Sequence, residues 1–468
     1  MEQGILQRPH LELTSRKEGT ALKDRALTAP EWLARSAVYQ INPRTFSAEG
    51  TLSAVTREIP VLHAMGFRVL YLCPIFEADA SDDTAFWSDR QRKSQTMNPK
   101  NPYRMRDYFT IDEEYGDMED LRRLIQTAHD LDMRVILDLV YLHIGPNAPV
   151  IARHPEFAKQ DAEGNIQYSQ WRFPSLDFRS PGLREYLYAN MCYYIGSLDA
   201  DGFRCDVGDG VPLDFWAEGR ARIQRIKPDA ALINEGRRGD SLRLAFDALY
   251  SFDWHETLYR ILAGEAPASA LMSAWRNEEK PEWLLPPGGL ALRDLDNHDT
   301  VTDWPMRAET LAGHAGMDLA QALNYAIDGI PMVYCGNELG DETELSMFAN
   351  RFHPGRFHAT DRSPAAQPYA AQRAALMRRL NQWKRESDVL RYGETQWIDH
   401  NAPRQAICFR RVWQGKQIFM LANLSAAPCA VTPQEAPQGS ALFENGCRAE
   451  NGVFHLAGRG YIIFSQEA

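Results

Sequence analysis

The 468-residue sequence predicts an α/β chain built on a parallel (β/α)8 barrel, a TIM barrel, followed by an all-β unit. Four short apolar runs carry polar residues only at their C-terminal ends: Val135-Ile136-Leu137 before Asp138, Gly202-Phe203 before Arg204, Ala231-Leu232-Ile233 before Asn234 and Glu235, and Leu290-Ala291-Leu292 leading towards Asn297. Such runs are buried parallel strands, and in a barrel of this kind the active site is assembled where those strands end. The second observation is an amphipathic stripe, Leu121, Leu124, Ile125, Ala128 and Leu131, which makes a core-facing helix just before the third strand. The third is a change of pattern near Leu390, after which short strand-like runs alternate with turns.

In chain order, residues 1–30 are polar and charged without periodicity and read as an extension. The barrel, expected over 31–389, begins near Ala37-Val38-Tyr39-Gln40, followed by a helix from about Leu52 to Met65 and a second strand at Val69-Leu70-Tyr71-Leu72. Between Glu77 and Tyr103 lies a long, charged, irregular loop containing Trp87, of the length that usually shapes a binding cleft. Residues 144–180 are rich in Pro, Gly and aromatic residues, and Trp171 among them has two readings, stacking on a sugar and, the favoured one, packing within the segment. In the last segment, 390–468, the runs Ala406–Phe409, Gln417–Leu421 and Gly460–Phe464 are strands, with a hairpin turn at Trp413-Gln414-Gly415-Lys416.

The residues at the strand ends have a chemistry of their own. A retaining glycosidase needs two carboxyl groups about 5–5.5 Å apart, one ionised to attack the anomeric carbon and one protonated to serve the leaving oxygen. Asp206 suits attack, because Arg204 two residues earlier shares its face of the strand and favours the carboxylate. Glu235 suits proton donation if it sits in drier surroundings beside Asp206. Asp299 adds negative charge for a developing oxocarbenium ion, and His143 and His298 are expected to donate hydrogen bonds to sugar hydroxyls. Taken singly, each of these residues is ordinary: a surface carboxylate, a structural ion pair, a packed tyrosine. Their occurrence together, in order at strand ends, is not.

That order resembles the α-amylase superfamily of glycoside hydrolases. Gly202-Phe203-Arg204-Cys205-Asp206 matches the segment that bears the family's nucleophile, which implies that role for Asp206 and makes Arg204 its charge partner. The resemblance implies Glu235 as acid/base, and Asn297-His298-Asp299 as the motif in which Asp299 orients the substrate with His298 beside it. Asp138 to His143 matches the family's first motif, and Asn101-Pro102-Tyr103 with Asp107-Tyr108 and Tyr115-Gly116 makes Tyr103 the aromatic platform under the reactive sugar. Ile330-Pro331-Met332-Val333-Tyr334 is similar to the eighth strand, 144–180 to the insertion after the third, and 390–468 to a C-terminal antiparallel β-sandwich. The implied function is retaining hydrolysis of α-glucosidic bonds in malto-oligosaccharides or related glucans. Two alternatives remain open: a transglycosylase of the same family, such as a glucanotransferase or a sucrose- or trehalose-active member, and a non-catalytic carbohydrate-binding relative. The sequence departs from the family at Leu142, where an Asn usually helps hold calcium, so no cofactor is expected and the usual calcium site is in doubt.

Composition narrows the class. A net charge of −12 gives no electrostatic footprint for nucleic acid or an anionic membrane. No apolar stretch approaches the ~18 residues of a membrane span, and Met1 to His10 lack a signal-peptide core. The expectation is a cytoplasmic enzyme, or a secreted one if a signal peptide has been removed, with a glucan partner and seven reduced, packed cysteines.

Overall fold

A computed structural model describes residues 24–277, 280–304, 306–355 and 358–467. Eight parallel strands close into a barrel in chain order: β1 Val38–Ile41, β2 Val69–Leu72, β3 Arg134–Leu139, β4 Gly202–Cys205, β5 Ala231–Asn234, β6 Ala248–Tyr250, β7 Ala291–Arg293 and β8 Ile330–Tyr334, with β8 pairing back to β1. Alternation along each strand divides two cores. Val38, Val69, Tyr71, Ile136, Ile233, Tyr250, Leu292 and Met332 fill the interior, whereas Leu70, Leu137, Phe203 and Leu232 face the helical layer. The short helix Glu31–Ala34 plugs one end of the interior through Leu33 and Ala34. Residues 24–30 run along the barrel, with Ala26 and Leu27 donating to the carbonyls of Pro287 and Leu242. The rest of the expected extension, including Met1 to His10, lies outside the described residues.

The register dictates what the interior can hold near the strand ends. Ile136 faces Gly202 and Asp138 faces Arg204 across β3 and β4, so an inward carboxylate and an inward guanidinium meet because neighbouring strands align them. Gly202 is required by close approach, since a Cβ there would lie 2.3 Å from the Ala231 carbonyl oxygen. The expected helix before β3 spans Met118–His129. Asp117 caps it by accepting from the amides of Glu119 and Asp120, while Leu121, Leu124, Ile125 and Ala128 are buried. The expected helix after β1 spans Leu52–Ala64. β6 was not expected; its three residues carry too short a pattern to be read from periodicity.

The loop between Glu77 and Tyr103 is less irregular than its sequence suggested. It contains a 3-10 turn at Thr84–Phe86 and a helix at Asp89–Lys93, which Ser88 caps through the amide of Gln91. Arg104 organises it. The fully buried guanidinium donates to the carbonyl oxygens of Phe86 at 2.6 Å, Asp79 at 2.9 Å, Ser81 at 3.0 Å and Pro99 at 2.8 Å. The Asp79 side chain then accepts from the amide and the side chain of Asn147, tying this loop to the segment after β3. That segment carries the helix Pro149–Arg153 and isolated antiparallel bridges such as Ala158 to Leu176 and Tyr168 to Pro174.

The C-terminal unit consists, among the described residues, of one antiparallel sheet of β9 Glu394–Trp397, β10 Ala406–Trp413, β11 Lys416–Asn423, β12 Cys429–Val431, β13 Ser440–Glu450 and β14 Val453–Gln466. A sandwich was expected; the six strands form one continuous hydrogen-bonded ladder, because β14 is long enough to pair with β11, β12 and β13. Ile407, Phe409, Ile418 and Met420 join the main core, and Cys408, Phe419 and Leu421 form a separate cluster on the opposite face. The helix Asp388–Tyr392 straddles the boundary expected at 389/390. The Gln414-Gly415 turn has positive φ at both residues, 49° and 81°, as a tight hairpin demands. All seven cysteines are free.

Replacing Arg104 by Met leaves several buried carbonyls without their donor. Chemical denaturation should show a loss of stability on the order of 3 kcal/mol, while the same change at exposed Arg122 should be nearly neutral.

Candidate active site

The C-terminal ends of the strands surround a cavity of about 70 Å³ whose wall includes Tyr103, His143, Asp206, Glu235, His298 and Asp299. Asp206 follows β4 directly, Glu235 follows β5, and the turn after β7 delivers His298 and Asp299. Asp138 and Arg204 are not on the wall. They are each 1% exposed and lie beneath it, where they hold the groups of the wall in place.

Arg204 is the hub of the site. Its Nη1 donates to Asp138 at 2.8 Å and to Asp206 Oδ1 at 2.9 Å. Its Nη2 stands 2.9 Å from Glu235 Oε1, at an angle unsuited to a hydrogen bond. Asp138 is further satisfied by the hydroxyls of Tyr71 at 2.6 Å and Tyr103 at 3.1 Å. Glu235 Oε2 accepts from the Val207 amide at 2.7 Å. That amide is aimed by an unusual backbone, since Val207 has φ 43°, a left-handed conformation that costs a β-branched residue energy and belongs to sites where structure is fixed from outside.

One guanidinium therefore serves three carboxyl groups, and the cluster is undercompensated. Burial pushes Glu235 up to about 7, with Arg204 opposing and Asp299 adding to the rise. Burial also raises Asp206 well above the usual carboxylate range, again against Arg204 and with Glu235 adding to the rise. Glu235 was expected to be the drier of the two, yet its side chain is 13% exposed against 7% for Asp206. The hydrogen-bond geometry separates them instead. Asp138 and Asp206 accept aligned, charge-assisted bonds from Arg204, Glu235 does not, and the proton retained by the pair belongs on Glu235.

The histidines differ from expectation in the direction of their bonds. Gln40 Nε2 donates to His298 Nδ1 at 2.9 Å while Gln40 Oε1 accepts from the His298 amide. The protonated Nε2 then donates to the Tyr103 hydroxyl at 2.7 Å, and Tyr103 donates onward to Asp138. Both ring nitrogens of His298 are thus engaged. Burial lowers His143 to about 4, so it is neutral; its Nε2 donates to the Tyr103 carbonyl at 2.9 Å, leaving a buried, unpartnered Nδ1. That nitrogen is an acceptor, not the donor expected. Burial raises Asp299, but His298 and the guanidinium groups of Arg90 and Arg204 outweigh it and hold the carboxyl well below the usual range.

Tyr103 stacks on His298 with ring centroids 5.3 Å apart, and Arg204 lies 5.9 Å from its ring. Sequence reasoning missed Arg90, Phe173, Met347 and Phe348 on the wall, because none sits in a strand-end motif. Trp171, for which packing was favoured over stacking on a sugar, is also there, 5.3 Å from the His143 ring.

Comparison with known proteins agrees with this arrangement. The family model described as alpha amylase, catalytic domain, matches residues 29–171. A cyclomaltodextrinase of Thermoanaerobacter pseudethanolicus is 24% identical over 457 residues, covering 85% of this chain and 71% of the relative. An intracellular maltogenic amylase of Bacillus subtilis is 25% identical over 362 residues, covering 68% and 57%, so the chain spans less than two thirds of that relative. In fold, the chain is similar to a maltogenic alpha-amylase of Thermotoga neapolitana, with a TM-score of 0.76, 22% identity and coverage of 93% and 99%. It is likewise similar to a cyclic alpha-maltosyl-(1→6)-maltose hydrolase of Arthrobacter globiformis, at 0.73, 20%, 94% and 100%. Over residues 29–171 the chain matches the alpha-amylase catalytic domain, and over most of its length it is similar to relatives named as cyclomaltodextrinase and maltogenic amylase.

Proposed function

We propose that this protein hydrolyses α-glucosidic bonds of malto-oligosaccharides or related α-glucans with retention of configuration. The observation that carries this reading is the convergence of Asp206, Glu235 and Asp299 on one cavity above a single buried guanidinium. Asp206 attacks the anomeric carbon as Glu235 passes its proton to the departing glycosidic oxygen, which breaks the bond and leaves a glycosyl ester on Asp206. Glu235, now ionised beside Arg204, takes a proton from water; that water attacks the same carbon and frees Asp206. Asp299 accepts from hydroxyls of the reactive sugar and places negative charge near the oxocarbenium-like transition state. Tyr103 supports the ring from below, and His143 Nδ1 accepts from a hydroxyl. The relatives named for cyclomaltodextrin and maltogenic activities favour short α-glucans as substrates.

The residues around Leu142 do not fit a calcium ion. The Leu142 side chain packs over Gly210 and offers hydrocarbon where a hard cation needs oxygen. We read the protein as free of a resident metal, with buried Arg104 gathering loop carbonyls as an internal cation. A cytoplasmic site of action is part of the same proposal, favoured by the relative named as intracellular; among the described residues no helix is long and apolar enough to cross a membrane.

The test is hydrolysis of a nitrophenyl α-maltoside across pH. The acid must be protonated, so kcat/KM should fall about tenfold per unit above a pKa of about 7. Glu235→Gln should remove that limb while retaining measurable cleavage of this good leaving group; an unchanged alkaline limb in the variant contradicts the assignment. A second expectation concerns metal: exhaustive EDTA treatment should leave activity and Tm unchanged, and a fall in Tm reversed by calcium would refute the metal-free reading.

A further inference from the structure

Arg90 projects into the cavity from the helix Asp89–Lys93, far from any strand-end motif. Its Nε donates to Asp303 Oδ1 at 2.8 Å. Its Nη2 lies 2.8 Å from Asp299 Oδ1, but misaligned, so this buried donor makes no hydrogen bond. Phe348 packs against the guanidinium at 6.0 Å.

The helix is tied to both flanks of the cavity. Asp89 pairs with Arg172 of the insertion at 3.0 Å, Gln91 Nε2 donates to the Asn98 carbonyl at 2.9 Å, and Asn98 Nδ2 donates to the Phe348 carbonyl at 2.9 Å. Arg90 thus approaches Asp299 on a braced segment, anchored through one nitrogen and unsatisfied at another. A sugar hydroxyl beside Asp299 is both donor and acceptor, and it completes what neither charged group completes alone.

We propose that Arg90 is a substrate-contacting residue that works with Asp299 as a pair: the carboxylate accepts from adjacent hydroxyls of the sugar while Arg90 donates to their oxygens. Asp303 is a positioning residue that aims the guanidinium. The inference rests on reading the cavity as a glycoside site. It adds a contact from the loop after β2 that discriminates sugars by the hydroxyls opposite Asp299.

The experiment compares the wild type with Arg90→Met, Arg90→Lys and Asp303→Asn, using kcat and KM on the nitrophenyl α-maltoside, calorimetric binding of acarbose, and Tm. Loss of a charge-assisted hydrogen bond should weaken acarbose and lower kcat/KM roughly 10–100-fold in Arg90→Met, with Tm little changed. Arg90→Lys, which keeps the charge and loses the fork, should fall between. Asp303→Asn should show a smaller loss, and the double variant should be no worse than Arg90→Met alone. Acarbose binding and kcat/KM within twofold of wild type in both Arg90 variants would overturn the proposal, as would a double variant whose losses multiply. A wild type that binds acarbose and turns over no α-glucan would remove the hydrolase reading, leaving Arg90 to be judged on binding.

Discussion

Arg204 is buried to 1% exposure and faces carboxyl groups that arrive on three successive strands, β3, β4 and β5. Removing ions from water costs several kcal/mol each, and the cost is recovered only where partners are aligned and lone pairs satisfied. Asp138 meets that condition through Arg204, Tyr71 and Tyr103, and Asp206 meets it in part. Glu235 meets it least, having an aligned amide and a misaligned guanidinium. The division between ionised and protonated carboxyl groups is therefore a consequence of three carboxyl groups sharing one cation. It is set by which oxygens point at which nitrogens, since exposure alone ranks Asp206 and Glu235 in the opposite order.

The rigidity needed for such alignment comes from the sheet. Asp138 and Arg204 are register partners across β3 and β4, and two residues before Arg204 Gly202 lets the backbones of β4 and β5 close. Outside the sheet, Arg104 plays the corresponding part for the loop after β2, by collecting carbonyls that would otherwise need water. The two buried arginines act differently: Arg204 leaves a charge deficit that chemistry can use, and Arg104 fixes the frame that carries Arg90 to the cavity.

Much of this was legible in the sequence for a physical reason. Parallel strands buried on both faces are apolar until they end, so Asp138, Arg204, Asp206 and Glu235 stand out among the polar residues that close a run. The helix stripe, apart from Leu131, which lies beyond the helix end at His129, and the Gln414-Gly415 turn were readable for equally local reasons. What depended on three-dimensional encounters was not. Arg90 sits in a charged stretch where nothing marks one arginine above Arg92, and its partners, Asp299 and Asp303, lie over two hundred residues away. The tautomer of His298 follows from Gln40, which no strand-end rule connects to it. The single ladder of the C-terminal sheet is decided by the length of β14, and strand patterns do not say which strands share it.

The identity of the attacking carboxylate tests the role of Arg204 most directly. A 5-fluoro-α-glucosyl fluoride slows breakdown of the covalent intermediate more than its formation, so peptide mapping by mass spectrometry after brief exposure reads the bonded residue. Label is expected on the peptide carrying Asp206, with Glu235 and Asp299 unmodified; label on Glu235 would contradict the assignment of the proton and of the nucleophile together.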